Sequence, residues 1–231
     1  MRQKNIILLI KLILAFCSIV YELLLAQSLS AFLENTVLRY SITIGLYLFS
    51  MGFGALLAEG KTVKNPVLVL LKVEILLTLI GGFSVVILHS LNLVAPSRLA
   101  FSLSAHALII LVGVFTGFEL PLLMEISNRE KGPSENPILA VDYVGALLGS
   151  VFFAFIFYPR LGLVASAFFV ASLNSLAGLC LFTQRGMVPP HKRKQYYAFL
   201  SAQAVLFVII MFCLKSAAHI NEFCINRYIG G

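Results

Sequence analysis

Polar residues fall along this chain in short clusters that separate long apolar runs. A helix that crosses a membrane needs about 20 mostly apolar residues, and seven runs reach that length, at about 6–26, 40–58, 66–88, 101–124, 138–158, 162–182 and 197–215. Each ends at charges, Pro, Asn or Gly of the kind that punctuate helices. The runs are continuously apolar and lack the period-two alternation of a barrel strand, so the pattern predicts helices. The first run opens like a secretory signal, with "MRQK" ahead of "NIILLIKLILAF", yet it stays apolar past Cys17 to Leu25 without a small-residue cleavage site. That predicts an uncleaved span. The expected fold is all-α: a polytopic membrane protein, a bundle of seven transmembrane helices over residues 1–216 with a short polar tail over 217–231.

Composition agrees with the pattern. Of 231 residues, 60% are hydrophobic and 12% charged, where a soluble domain carries about a quarter charged. Mean hydropathy is +0.97. The 17 basic and 10 acidic side chains are too few to cover a soluble core of this size.

Charge then sets the orientation. Loops on the N-terminal side collect ten Lys and Arg, from Arg2 and Lys4 through Lys61, Lys64, Arg129 and Lys131 to Arg185, Lys192, Arg193 and Lys194. The opposite side collects five: Arg39, Arg98, Arg160, Lys215 and Arg227. The basic excess marks the cytoplasmic face, so the N-terminus is expected inside a bacterial-type plasma membrane and, after seven spans, the C-terminus outside. "HKRKQYY" fits that face locally, with basic residues at the anionic leaflet and Tyr196 and Tyr197 at headgroup level. These basic residues sit in short loops without an aromatic stacking platform, so no nucleic-acid partner is expected.

Several chemistries find no support. The longest polar loops, near 125–137 and 183–196, are too short for a nucleotide-binding βαβ unit of about 30 residues. GxGxxG, GxxxxGK[ST], HExxH and GxSxG are all missing. Cys17, Cys180, Cys213 and Cys224 are scattered, as are His89, His106, His191 and His219, so neither a metal site nor a redox pair is expected, and no cofactor.

Ionisable groups inside spans are costly and therefore carry functional information. Six fall there: Lys11, Glu22, Lys72, Glu74, Glu119 and Asp142. Lys11, Ser18 and Glu22 stand at i, i+7 and i+11, nearly one line along a helix, and Lys11 and Glu22 are about 16 Å apart, so each needs a partner on another helix. Lys72 is expected to snorkel toward the inner headgroups. Glu74 shares a face with Gly81, the side expected to pack. The fourth and fifth spans read as a hairpin carrying Glu119 and Asp142 at similar depth. In "GFELPLLMEI", Pro121 frees the carbonyl of Gly117; it either bends the helix beside Glu119 to form a polar pocket or marks the helix end. Small-residue strips predict close helix contacts at Gly45, Gly52, Gly113, Gly117, Gly145 and Gly149. Glu22, Glu74, Glu119 and Asp142 are the candidate ligand-binding residues, and no catalytic residue is expected.

The segments "VYELLLAQSLSAFLENTVLRYSITIGLYLFSMGFGALLAEG", "VEILLTLIGGFS", "GFELPLLMEI" and "ILAVDYVGALLGSVFFAFIFYPRLGL" together resemble the membrane half of the membrane-bound spermidine synthase family, over residues from about 15 to 180. That family joins seven spans to a cytosolic domain that transfers an aminopropyl group from decarboxylated S-adenosylmethionine to putrescine. The glycine-rich adenosyl-binding segment and catalytic aspartates of such a domain have no counterpart here, and the sequence stops about where the domain would begin. The resemblance thus implies a non-catalytic transmembrane module, an anchor or accessory in polyamine metabolism that works with the lipid bilayer and a separate soluble aminopropyltransferase domain. A second reading is a transporter or binding protein in which the four acids hold a polyamine or another small cation.

Overall fold

The computed structural model describes residues 2–58, 64–130, 132–220 and 222, with side chains from residue 5 onward. Cys224, Arg227, Lys61 and Lys131 lie outside these residues, as do the side chains of Arg2 and Lys4. Among the described residues the chain is helical, in the order α1 (Arg2–Leu33), α2 (Thr36–Leu57), α3 (Pro66–Val94), α4 (Arg98–Arg129), α5 (Glu135–Phe152), α6 (Gly162–Cys180) and α7 (Arg193–Lys215).

Local chemistry sets the boundaries. Glu34 and Asn35 both take left-handed backbone conformations, turning the chain between α1 and α2. The Asn35 side chain accepts the amide of Leu38 to cap α2. Pro66 occupies the first turn of α3, where its missing amide costs nothing. Ser97 caps α4 by accepting from Ala100 N.

Among the described residues six stretches are long and apolar enough to cross a membrane, and one of them, Glu135–Met187, has 53 residues. Drawn out as one helix it would run about 80 Å, more than twice the roughly 30 Å of a hydrocarbon core. The chain breaks it instead: α5 passes into a π-helical segment, Phe153–Leu161, containing Pro159, which donates no amide hydrogen bond. Gly162, at φ +73, then opens α6. Two helical segments result where the sequence pattern predicts two runs.

Helix α1 is the axis of the bundle and packs against α2, α3, α4, α5 and α6. Leu14, Cys17, Val20, Leu24 and Leu25 on it are wholly buried. Around this axis α2 lies on α4, α3 lies between α4 and α6, and α7 rests on α6 and α3. The expected α4–α5 hairpin does not form: α5 packs on α1, because Gly145 and Gly149 fit against it. A Cβ on Gly145 would sit 2.6 Å from the Leu12 carbonyl oxygen, and one on Gly149 2.7 Å from that of Phe16.

Four of the six expected glycine contacts are therefore close backbone approaches, since a Cβ on Gly113 would come within 2.9 Å of Tyr47 O and one on Gly117 would strike the Met51 carbonyl. Gly45 and Gly52 are the exceptions, because a Cβ at either meets nothing. In α2 the packing glycine is Gly54, which abuts the Val114 backbone of α4. Spacing alone placed a small-residue strip on α2 but chose the wrong face of it.

One end of the bundle has its own apolar cluster, which includes Ile7 of α1 and Ala58, Val67, Ile126, Leu181 and Tyr196, in or beside the three connections that return there. The described basic residues Lys64, Arg129, Arg185, Lys192, Arg193 and Lys194 belong to those same connections. The charge asymmetry counted along the sequence is thus a charge asymmetry in space. Arg129 also fastens this end, donating to the Lys64 carbonyl at 3.1 Å while pairing with Glu125 at 2.6 Å.

Candidate functional site: a carboxylate-lined cleft

Three of the four candidate acids come together. Helices α1, α2, α4 and α5 enclose a cavity of about 310 Å³ lined by Lys11, Ser18 and Glu22 of α1, Thr116 and Glu119 of α4, and Asp142 of α5. Met51, Gly52 and Ala55 of α2, with Ala15 and Ile19 of α1, supply apolar wall. The polar line on α1 predicted from i, i+7, i+11 spacing is the line that faces this space. Its volume falls at the lower end of small-molecule sites, about 300–1,000 Å³.

Lys11 finds its partner across helices. Its Nζ lies 2.6 Å from Asp142 Oδ1, with Lys11 almost fully buried and the Asp142 side chain 26% exposed. The glycine contacts explain the fit: Gly145 lets α5 approach α1 one turn from Asp142, which brings the carboxylate to the ammonium. Among the described residues neither Glu22 nor Glu119 forms an ion pair. Both are buried, at 5% and 1% exposure, and Glu119 Oε1 has no hydrogen-bond partner. A buried carboxylate oxygen without a donor is unfavourable, so the cleft holds one acid, Glu119, whose demand the described residues leave open.

The neighbouring hydroxyls do not meet that demand. Thr116 Oγ1 donates back to its own helix, at 2.9 Å from Gly113 O. Tyr47 OH donates to Ser18 O at 3.0 Å, and the Ser18 hydroxyl lies 3.3 Å from it. Sequence reading passed over Tyr47 and Thr116. The legible signal for Thr116 was its place three residues before Glu119, on the same helical face. Pro121 does not end α4, which runs on to Arg129.

Glu74 does not line the cleft. It is fully buried and both its carboxylate oxygens lack hydrogen-bond partners. Its backbone joins a polar group between α3, α6 and α7, in which Asn174 donates to the Glu74 carbonyl oxygen and to Thr78 Oγ1, each at 3.3 Å. Gln203 donates to Thr78 Oγ1 and Ser175 Oγ, each at 3.1 Å. Its packed face was legible from Gly81, where a Cβ would meet the Tyr21 ring at 2.7 Å. The group around it was not, because Asn174 reads as one polar residue in a packing surface and Gln203 lies on a helix far along the chain.

The chain is similar to polyamine aminopropyltransferases. It is 36% identical over 202 residues to the polyamine aminopropyltransferase of Leptospira interrogans, a match covering 87% of this chain and 39% of that protein. That of Oceanobacillus iheyensis is 37% identical over 183 residues, covering 77% of this chain and 35% of the relative. Polyamine aminopropyltransferase 1 of Streptomyces coelicolor is 35% identical over 184 residues, covering 76% and 33%. The chain thus spans between about a third and two fifths of the length of these curated relatives. No family model matches it. No solved structure matches it either.

Proposed function

We propose that this chain is the membrane module of a polyamine aminopropyltransferase-type protein, and that its carboxylate-lined cleft holds a protonated polyamine. In this reading the seven helices cross a bacterial plasma membrane with the N-terminus in the cytoplasm, and aminopropyl transfer is carried out by a soluble transferase domain beside them. The observation that carries the amine assignment is the convergence of Glu22, Glu119 and Asp142 on one apolar-walled space with a single lysine to balance them. A polyamine matches both features. Its ammonium groups donate charge-assisted hydrogen bonds to carboxylates, and its methylene links lie against Ile19, Met51 and Ala55. The names of the similar proteins support the substrate class, and the acids and apolar walls of the cleft suit a ligand of that class.

Equilibrium binding of radiolabelled spermidine to the chain in detergent micelles tests this. Wild type is expected to bind, and Glu119→Gln to bind about 10- to 100-fold more weakly, the effect of losing one hydrogen bond to a charged group. Glu135→Gln, exposed at the start of α5 and outside the cleft, is expected to bind as wild type does. Equal binding by wild type and Glu119→Gln sinks the amine assignment. Uptake of spermidine into proteoliposomes, abolished in Glu119→Gln, would instead make the chain a carrier.

A further inference from the structure

A second cavity, of about 420 Å³, lies at the basic end of the bundle between the start of α3 and the start of α7. Lys64 and Asn65 precede α3, Lys72 lies on it, and Lys192 and Gln195 come from the start of α7; Leu68, Val69 and Phe199 form the apolar floor. Three ammonium groups therefore face one space. Among the described residues no carboxylate lies within ion-pair distance of any of them, the two ion pairs being Lys11–Asp142 and Arg129–Glu125. Arg129 instead fixes the Lys64 backbone, which holds that lysine's segment against the bundle.

The depth of Lys72 narrows the ligand. It stands six residues inside α3, about 9 Å from its start at 1.5 Å per residue, and it is exposed. Seven residues further on, on the same face of the helix, Leu79 is also exposed, at 37%. One ligand spanning this face therefore needs an anionic head at Lys64, Lys72 and Lys192 and an apolar tail along α3. A free anion satisfies only the first requirement. Basic pockets between membrane helices on the cytoplasmic side take acidic headgroups.

We propose that the Lys64–Lys72–Lys192 cleft binds the phosphodiester headgroup of an anionic phospholipid, with an acyl chain lying along α3 past Leu79. Asn65 and Gln195 donate to the remaining phosphate oxygens. The site rests on the reading of the helices as membrane spans and is independent of the amine cleft, so each can fail without the other.

The test is native mass spectrometry of the detergent-solubilised chain titrated with phosphatidylglycerol or phosphatidylcholine. Wild type is expected to retain phosphatidylglycerol in preference. Lys72→Gln should weaken that retention about fivefold, and the variant combining Lys64→Gln, Lys72→Gln and Lys192→Gln about a hundredfold, given the attraction per lysine near an anionic surface. Lys194→Gln, which removes a charge from the same basic segment outside the cleft, should leave it unchanged. The single Lys72 variant gives a reading even where the triple variant fails to keep its helical circular dichroism. Equal retention of the two lipids, an equal loss in Lys194→Gln, or undiminished retention in Lys72→Gln would each overturn the proposal. Displacement of phosphatidylglycerol by millimolar inorganic phosphate would show a free-anion site and overturn the lipid assignment.

Discussion

Lys11→Met is expected to destabilise the folded chain by about 3 kcal/mol, measured as the shift in its helical unfolding transition in detergent. Removing one partner of a buried ion pair leaves the other charge uncompensated, at about 3–5 kcal/mol. The lower end applies because the Asp142 side chain keeps 26% of its exposure and Lys11 Nζ meets it through one 2.6 Å contact. A second substitution makes the assignment specific. Lys11→Met combined with Asp142→Leu removes both charges and should recover most of the lost stability, since replacing an entire buried pair with apolar groups is often neutral. If the double variant is as unstable as the single one, Lys11 contributes through packing and not through Asp142.

Gly117→Leu is expected to cost more than about 3 kcal/mol by the same measurement, beyond the usual 1–3 kcal/mol of an overpacked core. The obstacle is backbone. A Cβ at residue 117 would strike the Met51 carbonyl, and Gly113 repeats the contact one turn earlier against Tyr47 and Ser50. No rotamer relieves such a clash, so α2 and α4 must separate along the wall of the cleft. Gly45→Ala is the control. Its Cβ meets nothing, and the change should alter stability by no more than about 1 kcal/mol, in the stabilising direction that helix propensity favours. A large loss in Gly45→Ala would return α2 to the packing face that its spacing first suggested.

Much of this architecture was legible because hydrophobic periodicity and helix length are local properties. Seven apolar runs gave seven helices, and even Glu135–Met187 divides near where Pro159 and Gly162 interrupt it. The line of Lys11, Ser18 and Glu22 was legible for the same reason, since one helix carries all three. Partner choice was not. Chain order suggested α5 beside α4, whereas Gly145 and Gly149 fit the backbone of α1, and only that docking brings Asp142 to Lys11. Along the sequence Glu119 and Asp142 stood out as a pair at similar depth, with Glu22 and Glu74 as further candidates. Three-dimensional packing separates Glu74, enclosed with Asn174, Thr78 and Gln203, from the three that line the cleft. Lys72 shows the reverse. It is exposed, but the lysines it joins come from segments on either side of it in sequence, and nothing local to Lys72 announces them.

Photo-crosslinking decides most directly whether the cleft holds an amine. The full chain, reconstituted in lipid vesicles, is irradiated with a diazirine derivative of spermidine, and the adducts are mapped by peptide mass spectrometry. Occupancy between Glu22 and Glu119 requires adducts on the cleft-facing stretches of residues 15–22, 48–55 and 116–120, suppressed by excess unmodified spermidine. Adducts spread over the outer faces of α5 and α7, unaffected by that competitor, would contradict it.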